Sequence, residues 1–323
     1  MTNQQQSILN EYPLPISKLY LKVQNSSDKR EMNKSLLTLF EFVLKYIALV
    51  SLKEFQECKS NDYKVSEAID RLDEPKGLGV GNWANLLEQC HQINLLNNKT
   101  ILPIEYFETR STYPFINKFC QIINRWDGKQ NITSFSLHNF VDKAVILRNK
   151  ASHPDLSIEM LSEVTGDFKL ALEEFLYHME WMKNYPLVFN EKREVANEEW
   201  VLSIIKLMGN ESIKLLSLNI PLEQDIPSSV LLILDPNNKP YLRLDPILLL
   251  KKKTNVYLFN GHKGNTYSEY VCYDTLDRYD LPPDFRTRRK ACNLHHKKGL
   301  KWKNKQRNAE KHTIKNSRSM QFG

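Results

Sequence analysis

Cysteine and glycine are scarce in this chain, and their placement excludes several kinds of site. The 323 residues include five cysteines, at positions 58, 90, 120, 272 and 292, and none form a Cys-x2-Cys pair. This is neither the paired framework of a small secreted domain nor a common zinc pattern, so we expect free thiols in a reducing cytoplasm. Among ten glycines, Gly77-x-Gly79-x-Gly81 lacks a following Gly-Lys-Ser/Thr, which indicates a loop rather than a phosphate-binding motif.

The chain also lacks a long uninterrupted apolar run and a recognisable leader. The longest apolar stretch, residues 37–52, is broken by Glu41 and Lys45, whereas a membrane-spanning helix needs about 20 apolar residues. The first fifteen residues contain no charged segment followed by an apolar core, as a signal peptide would. We therefore expect a cytoplasmic protein without a membrane partner.

Acidic residues are nearly absent from the C-terminal end. Between Arg286 and Arg318 there are thirteen lysines and arginines and one acid, Glu310, so this segment carries +12 while the whole chain carries +7 and residues 1–285 carry −5. A basic tail over 282–323 predicts binding to a polyanion such as RNA or DNA, and a merely solvated, disordered terminus is the alternative. The predicted nucleic-acid contacts are Arg286, Arg288, Arg289, Lys290, Lys297, Lys298, Lys301, Lys303, Lys305 and Arg307.

Hydrophobic periodicity predicts an all-α domain over residues 28–185. Apolar residues recur at helical spacing in six segments with no convincing strand between them, and Asp28 can cap the first. Residues 1–27 are interpreted as an extended arm, because Pro13 and Pro15 disfavour a helix. The six predicted helices cover 28–57, 65–72, 83–93, 113–126, 134–148 and 157–184.

After Pro186 the pattern changes from helical to strand-like. Residues 186–227 are interpreted as a polar linker with a short helix near 200–208, and residues 228–281 as a small antiparallel β domain. Its predicted strands are 230–234, 241–250, 255–259 and 267–273. The predicted fold class is α+β: an N-terminal all-α bundle, a small antiparallel β-rich domain and a basic, flexible C-terminal tail.

Arg148 and His153 stand out because they close an apolar helical segment directly before Pro154. Arginine offers a planar fork of donors that matches phosphate oxygens, and histidine exchanges a proton near neutral pH. Proline ends the helix and frees His153 from the helical hydrogen bonds. Cations at the end of a helix are also favoured by the helix dipole, so a purely structural role would give the same spacing.

The residues Leu147-Arg-Asn-Lys-Ala-Ser-His-Pro154 resemble the signature of HEPN domains, helical bundles found in RNases of toxin–antitoxin and anti-phage systems. Arg148, Asn149 and His153 match the family's arginine, polar residue and histidine. Glu41 and Lys45 are similar to a second family feature, although an ordinary i,i+4 ion pair would have the same spacing. The resemblance covers residues 28–185.

The resemblance implies a metal-independent endoribonuclease in which the ribose 2′-hydroxyl attacks the neighbouring phosphate. His153 would be the general acid or base, Arg148 would bind the phosphate, and Asn149 would orient a partner or bind the phosphate. Glu41, Lys45 and Ser152 are the candidate supporting residues. No cofactor or metal is expected.

The resemblance also implies partners. RNA would be the substrate, a homodimer formed through the helical domain would complete the groove, and an antitoxin or another defence-system component would be a further partner. The alternative is a catalytically inactive HEPN-like dimerisation or adaptor module that binds nucleic acid through the basic tail. A DNA-binding regulator is a third hypothesis, and the sequence supports it least.

Two other groups of residues are weaker candidates for a functional site. Cys272, Cys292, His295 and His296 could supply zinc ligands, but the nineteen-residue gap after Cys272 does not match a known spacing. The aromatic residues of the β region could stack nucleic-acid bases, although alternating aromatics in strands more often pack in a core. These residues are Tyr257, Phe259, Tyr267, Tyr270 and Tyr273.

Overall fold

Helices come first in the fold and two antiparallel sheets follow, which confirms the α+β class predicted from the sequence. The computed structural model describes residues 1–58, 60, 62–72, 79–128, 132–152, 158–210, 214–252, 254–263 and 267–281. His153 and the basic tail over 282–323, with all its predicted nucleic-acid contacts, lie outside the described residues.

Five of the six predicted helices correspond to single helices with slightly shifted ends, and the sixth is divided. Met179 and Glu180 form a turn within 157–184, and this turn directs Trp181 and Met182 into the core. The helices are α1 (Asn3–Glu11), α2 (Leu14–Gln24), α3 (Lys29–Glu57), α4 (Tyr63–Leu72), α5 (Val80–Leu96), α6 (Pro114–Trp126), α7 (Leu137–Ala151), α8 (Ile158–His178) and α9 (Trp181–Asn184).

The prediction of an extended arm over residues 1–27 is wrong, because this segment forms α1 and α2. Thr2 caps α1 with a capping box, and the chain is extended at Tyr12, as expected before a proline. Pro13 is the N-cap of α2, and Pro15 lies in the first turn. A proline in the first turn costs no helical hydrogen bond, so the two prolines begin a helix here.

The helix α3 lies at the centre of the helical part and packs against α2, α5 and α8. By length and composition it could cross a membrane, since its most apolar window has a mean hydropathy of 1.8. However, 78% of that window is buried inside the protein. This finding is compatible with the core helix of a soluble protein.

The predicted linker over 186–227 is wrong as well, because most of the described part of this segment lies in three strands. These are β1 (Leu187–Ala196), β2 (Glu199–Lys206) and β3 (Lys214–Pro221). Asn197 and Glu198 connect β1 to β2 with positive φ values of 50° and 63°, the conformation of a tight two-residue hairpin. The prediction of a short helix near 200–208 is therefore wrong: most of these residues lie in strand β2, which pairs with β1 on one side and β3 on the other.

The remaining strands are β4 (Val230–Leu234), β5 (Pro240–Arg243), β6 (Leu248–Lys251), β7 (Asn255–Lys263), β8 (Tyr267–Val271) and β9 (Arg278–Leu281). The strand predicted over 241–250 is divided into β5 and β6, because Pro246 lies between them and has no N–H to donate. The hairpin predicted from 255–259 and 267–273 is confirmed by the pairing of β7 with β8.

Among the described residues, the strands form two sheets, ordered β3-β2-β1-β4-β5 and β6-β7-β8-β9. The first sheet joins β1–β3 to β4 and β5, so the predicted domain border at residue 228 crosses a sheet. One hydrophobic core continues from the helices into both sheets. Within it, the Tyr273 ring meets the Phe42 ring of α3 edge-on, with centroids 5.6 Å apart, which places the turn after β8 against α3.

Candidate active site

Three of the residues selected from the sequence lie together between α3 and α7. Glu41 and Lys45 are one turn apart on α3, and Lys45 Nζ donates to Glu41 Oε1 at 2.9 Å. Arg148, 107 residues further along the chain, donates from Nη2 to Glu41 Oε2 at 3.4 Å. Glu41 therefore binds a different cation with each of its carboxylate oxygens.

The position of Arg148 follows from the way α7 is fixed. Ser136 begins this helix with a capping box, and Ser152 caps its end, so Arg148 lies in the last turn. Phe140, Ala144 and Leu147 are fully buried and define the inner face of the helix. Arg148, next to Leu147, is two-thirds buried and reaches Glu41 at the edge of this face.

Lys45 is held inside the protein and all its donors are used. Its side chain is only 1% exposed, and an ammonium group has three protons to donate. They go to Glu41 Oε1, to Asn260 Oδ1 at 2.8 Å and to the Tyr273 hydroxyl at 2.5 Å. The amine also lies 5.7 Å from the centre of the Trp83 ring. Lys45 therefore supports Glu41 and has no donor left for a substrate.

Tyr273 and Asn260 bring the second sheet into this network. The Tyr273 hydroxyl accepts from Lys45 and donates to Glu41 Oε1 at 2.9 Å. Asn260, on β7, donates from Nδ2 to Glu269 Oε1 at 2.8 Å, and Arg278 pairs with Glu269 at 3.0 Å. A continuous polar network thus runs from Arg148 to strand β9.

The protonation states in the network follow from burial and from the neighbouring charges. Burial raises the pKa of Glu41, but Lys45, Arg148 and the Tyr273 hydroxyl outweigh this effect and hold the pKa below its ordinary value. Burial lowers the pKa of Lys45, and the Glu41 carboxylate opposes that shift. Burial and then Glu41 raise the pKa of Tyr273 well above 10. The pKa shifts of Glu41 and Tyr273 favour a carboxylate and a neutral phenol, and the three acceptors around Lys45 Nζ match the three donors of an ammonium group.

A groove of about 610 Å³ opens beside this cluster. Its walls are the N-terminal half of α3, the end of α7, the first half of α8 and the turn after β8. Its lining includes Arg30, Lys34, Glu41, Arg148, Ser162 and Tyr273. Arg148 and Glu41 thus face a concave surface large enough for a ligand.

The other residues of the predicted motif are placed differently. Asn149 is exposed. Ser152 is also exposed, and its hydroxyl donates to the Arg148 carbonyl oxygen at 3.0 Å, so it closes the helix end. His153 follows Ser152 directly in the sequence but lies outside the described residues.

Two histidines elsewhere in the helical part are packed against other side chains. His91 is fully buried, and burial lowers its pKa to about 4. His178 packs against Tyr113 with ring centres 4.6 Å apart and the ring planes tilted by 54°. Neither lies on the groove that Arg148 lines, so they do not replace His153 as a candidate for proton transfer there.

The weaker constellations of the β region are explained in part by packing. Tyr257, Tyr270 and Tyr273 are buried in the core, whereas Tyr267 is 45% exposed. Cys272 is buried, and the other three residues proposed as zinc ligands lie outside the described residues. In the part of the chain that the structure describes, no three His, Cys, Asp or Glu residues are grouped to hold a metal ion.

Comparison with known proteins adds no relative: no family model matches the chain, and no curated protein or solved structure matches it. The geometry of the site adds two residues that the sequence analysis did not place there, Asn260 and Tyr273. No local pattern marks them, because Lys45 is 215 and 228 residues away from them.

Proposed function

We propose that this protein is a metal-independent endoribonuclease that cleaves RNA at the groove beside Arg148. The observation that carries the proposal is the pairing of Arg148 with the buried Glu41–Lys45 ion pair at the wall of a groove. An arginine that is oriented in this way still has guanidinium N–H groups that can donate hydrogen bonds to a phosphate. His153, five residues after Arg148, supplies a group that can transfer a proton near neutral pH.

The proposed reaction is transesterification within the RNA. The 2′-oxygen attacks the adjacent phosphorus, the bond from phosphorus to the 5′-oxygen breaks, and the products carry a 2′,3′-cyclic phosphate and a 5′-hydroxyl. His153 accepts the 2′-hydroxyl proton, or donates a proton to the leaving 5′-oxygen. Arg148 binds the phosphate and stabilises the charge that develops on it. Asn149 and Ser152 lie between Arg148 and His153 in the sequence.

Glu41 has a positioning role in this scheme. A carboxylate near a phosphate would ordinarily repel it, but Lys45 lies 2.9 Å away and compensates the charge. The charge of Arg148 is then available to the substrate, while Glu41 restricts the orientation of the guanidinium. Lys45 and Tyr273 in turn restrict Glu41.

The setting that we propose is a homodimer in the cytoplasm, acting as a toxin or anti-phage effector. One chain carries one Arg148–His153 motif, and a second copy across a two-fold axis would supply the opposing motif. The basic tail would raise the local concentration of RNA without selecting a sequence. An antitoxin or defence-system partner would control the activity.

The test is cleavage of a labelled RNA in EDTA by the wild type, Arg148→Ala and His153→Ala. We expect wild-type cleavage and a loss of at least a hundredfold in both variants, since general acid–base catalysis alone contributes about that factor or more. Lys150→Ala is a matched control, because Lys150 lies on the same helix but pairs with Asp127. Wild-type activity in both site variants would refute the assignment.

The alternative is a catalytically inactive adaptor that binds nucleic acid through its tail. One observation favours it: Glu41 and Lys45 satisfy one another and Tyr273 within the protein, as in a purely structural ion network. It predicts RNA binding without cleavage. It also predicts that Arg148→Ala changes only the stability of the fold.

A further inference from the structure

Beyond the cleavage site, we propose that Arg30 and Lys34 form a second phosphate-binding site, which holds the backbone of single-stranded RNA on one side of the scissile phosphate. Both residues are exposed on α3 and line the groove that Arg148 also lines. The inference rests on the proposed function in one respect, because it takes Arg148 to be the residue that binds the scissile phosphate. The binding of a phosphodiester strand can be measured without cleavage.

The charge of the groove favours a polyanion. Of the described residues that line it, Lys29, Arg30, Lys34 and Arg148 are basic and Glu41 is the one acid; the charge of Glu41 is compensated by Lys45. Among the described residues, no carboxylate forms an ion pair with Lys29, Arg30 or Lys34. These cations therefore remain available to a ligand.

The two acids nearest to these cations in the sequence are occupied elsewhere. Asp28 caps α3 by accepting from the Glu31 backbone N–H at 2.8 Å. The Glu31 side chain turns back to Ser27 and accepts from its backbone N–H and its hydroxyl, each at 2.7 Å. Both carboxylates keep their charge, and Glu31 still interacts electrostatically with Lys34. Their hydrogen bonds go to Ser27 and the helix backbone, so the donor groups of Arg30 and Lys34 are not taken up by these acids.

The spacing of the basic residues along α3 indicates the path that a bound strand would follow. Arg30, Lys34 and Glu41 are four and seven residues apart, so they follow one face of the helix. With a rise of about 1.5 Å per residue, Lys34 lies ~10 Å and Arg30 ~16 Å along the axis from Glu41, where Arg148 is bound. A strand whose scissile phosphate meets Arg148 would therefore place its next phosphates at Lys34 and Arg30.

The rest of the groove suits a single strand. Leu37 and Leu161 provide apolar surface for riboses or bases, and the Ser162 hydroxyl adds a polar group. Asn33 donates to Thr165 Oγ1 at 3.0 Å and joins α3 to α8 across the floor. Unpaired nucleotides can turn their bases toward such surface, whereas a duplex keeps its bases stacked inside.

The experiment measures binding of a fluorescent 2′-O-methyl RNA decamer, which has no free 2′-hydroxyl and cannot be cleaved by the proposed reaction. The full-length chain is compared with Arg30→Gln/Lys34→Gln, in which both residues remain good helix formers at exposed positions. Lys64→Gln/Lys99→Gln is the matched control, because both of its lysines are exposed and lie outside the groove. Affinity is measured by anisotropy at several salt concentrations.

We expect the slope of log affinity against log salt to become shallower by about 1.4 in the groove variant, since each phosphate contact on a single strand contributes ~0.7. The control should keep the wild-type slope. Equal slopes in all three proteins, with equal melting temperatures, would overturn the proposal. A shallower slope in the groove variant, together with no RNA cleavage by the wild type, would support this site and refute the nuclease. RNA cleavage by the wild type, together with an unchanged slope in the groove variant, would support the nuclease and refute this site.

Discussion

The hydroxyl of Tyr273 donates to Glu41 Oε1 at 2.9 Å, which connects the turn after β8 to the helix that carries the candidate site. The same carboxylate binds Arg148 through its other oxygen. The second sheet is therefore built into the surroundings of Arg148. Removing a contact in that sheet should change the site even though the helical residues remain.

Tyr273→Phe should lower RNA cleavage about tenfold, mainly through kcat. The substitution removes the donor to Glu41 and one of the three acceptors of Lys45, so Arg148 is held less firmly in the transition state. The loss of one buried hydrogen-bonding group should also cost about 1–3 kcal/mol of unfolding free energy. Single-turnover cleavage and urea unfolding would measure the two effects.

Tyr270→Phe is the control for this prediction. Its hydroxyl donates to the Pro246 carbonyl oxygen at 2.7 Å, in the same sheet but away from Glu41. We expect a similar loss of stability with unchanged cleavage. If the two variants lose activity equally, the effect of Tyr273 is only structural.

Lys45→Met should destabilise the protein by about 3–5 kcal/mol, because it leaves the largely buried Glu41 carboxylate without its main counter-charge. Glu41→Gln/Lys45→Met should recover much of this loss, since the uncompensated charge is gone. RNA cleavage should stay low in the double variant, because a neutral amide holds Arg148 less firmly than a carboxylate. A double variant no more stable than Lys45→Met would contradict this account of the pair.

Glu54 should make the stability of the protein depend on pH. Its side chain is 2% exposed and accepts from the Ile101 N–H at 2.7 Å and from the Tyr241 hydroxyl at 2.9 Å. Burial raises its pKa from 4.5 to about 7 despite these hydrogen bonds. The folded protein therefore binds a proton more tightly than the unfolded chain.

The sign of the pH dependence follows from this difference in proton affinity between the folded and unfolded states. Below pH 4.5 both states are protonated, so the contribution of Glu54 is most favourable there; it falls as the pH rises to 7 and is constant above. The total change is about 3 kcal/mol. Glu54→Gln should remove this part of the pH dependence in urea unfolding between pH 4.5 and 8. An identical pH profile in the variant would contradict the shift.

Sequence reasoning succeeded where the information is local. The periodicity of α3 and α7 places Glu41, Lys45 and Arg148 on helices, and the i,i+4 spacing makes the first pair meet. It failed at Pro13 and Pro15, because a proline disfavours the interior of a helix but suits its first turn. Strand β2 was missed because a short apolar run fits both a helix and a strand, and its pairing with β1 and β3 is visible only in the folded structure.

The candidate site could be predicted only in part for a related reason. Arg148 and Glu41 are each marked by a local motif, but nothing local indicates that they pair. Tyr273 has the pattern of a core aromatic residue, and its ring does pack against Phe42. The polar role of its hydroxyl depends on a contact across 232 residues of chain, which only the folded structure provides.

In the proposed reaction, Arg148 and His153 serve cleavage by the ribose 2′-hydroxyl. The most direct measurement compares, in EDTA, an RNA oligonucleotide with the same oligonucleotide carrying a single 2′-deoxy nucleotide at the cleaved position. We expect the wild type to cut the first to a 2′,3′-cyclic phosphate and to leave that bond of the second intact. Cleavage of the deoxy-substituted bond, or no cleavage of either RNA by the purified protein, would contradict it.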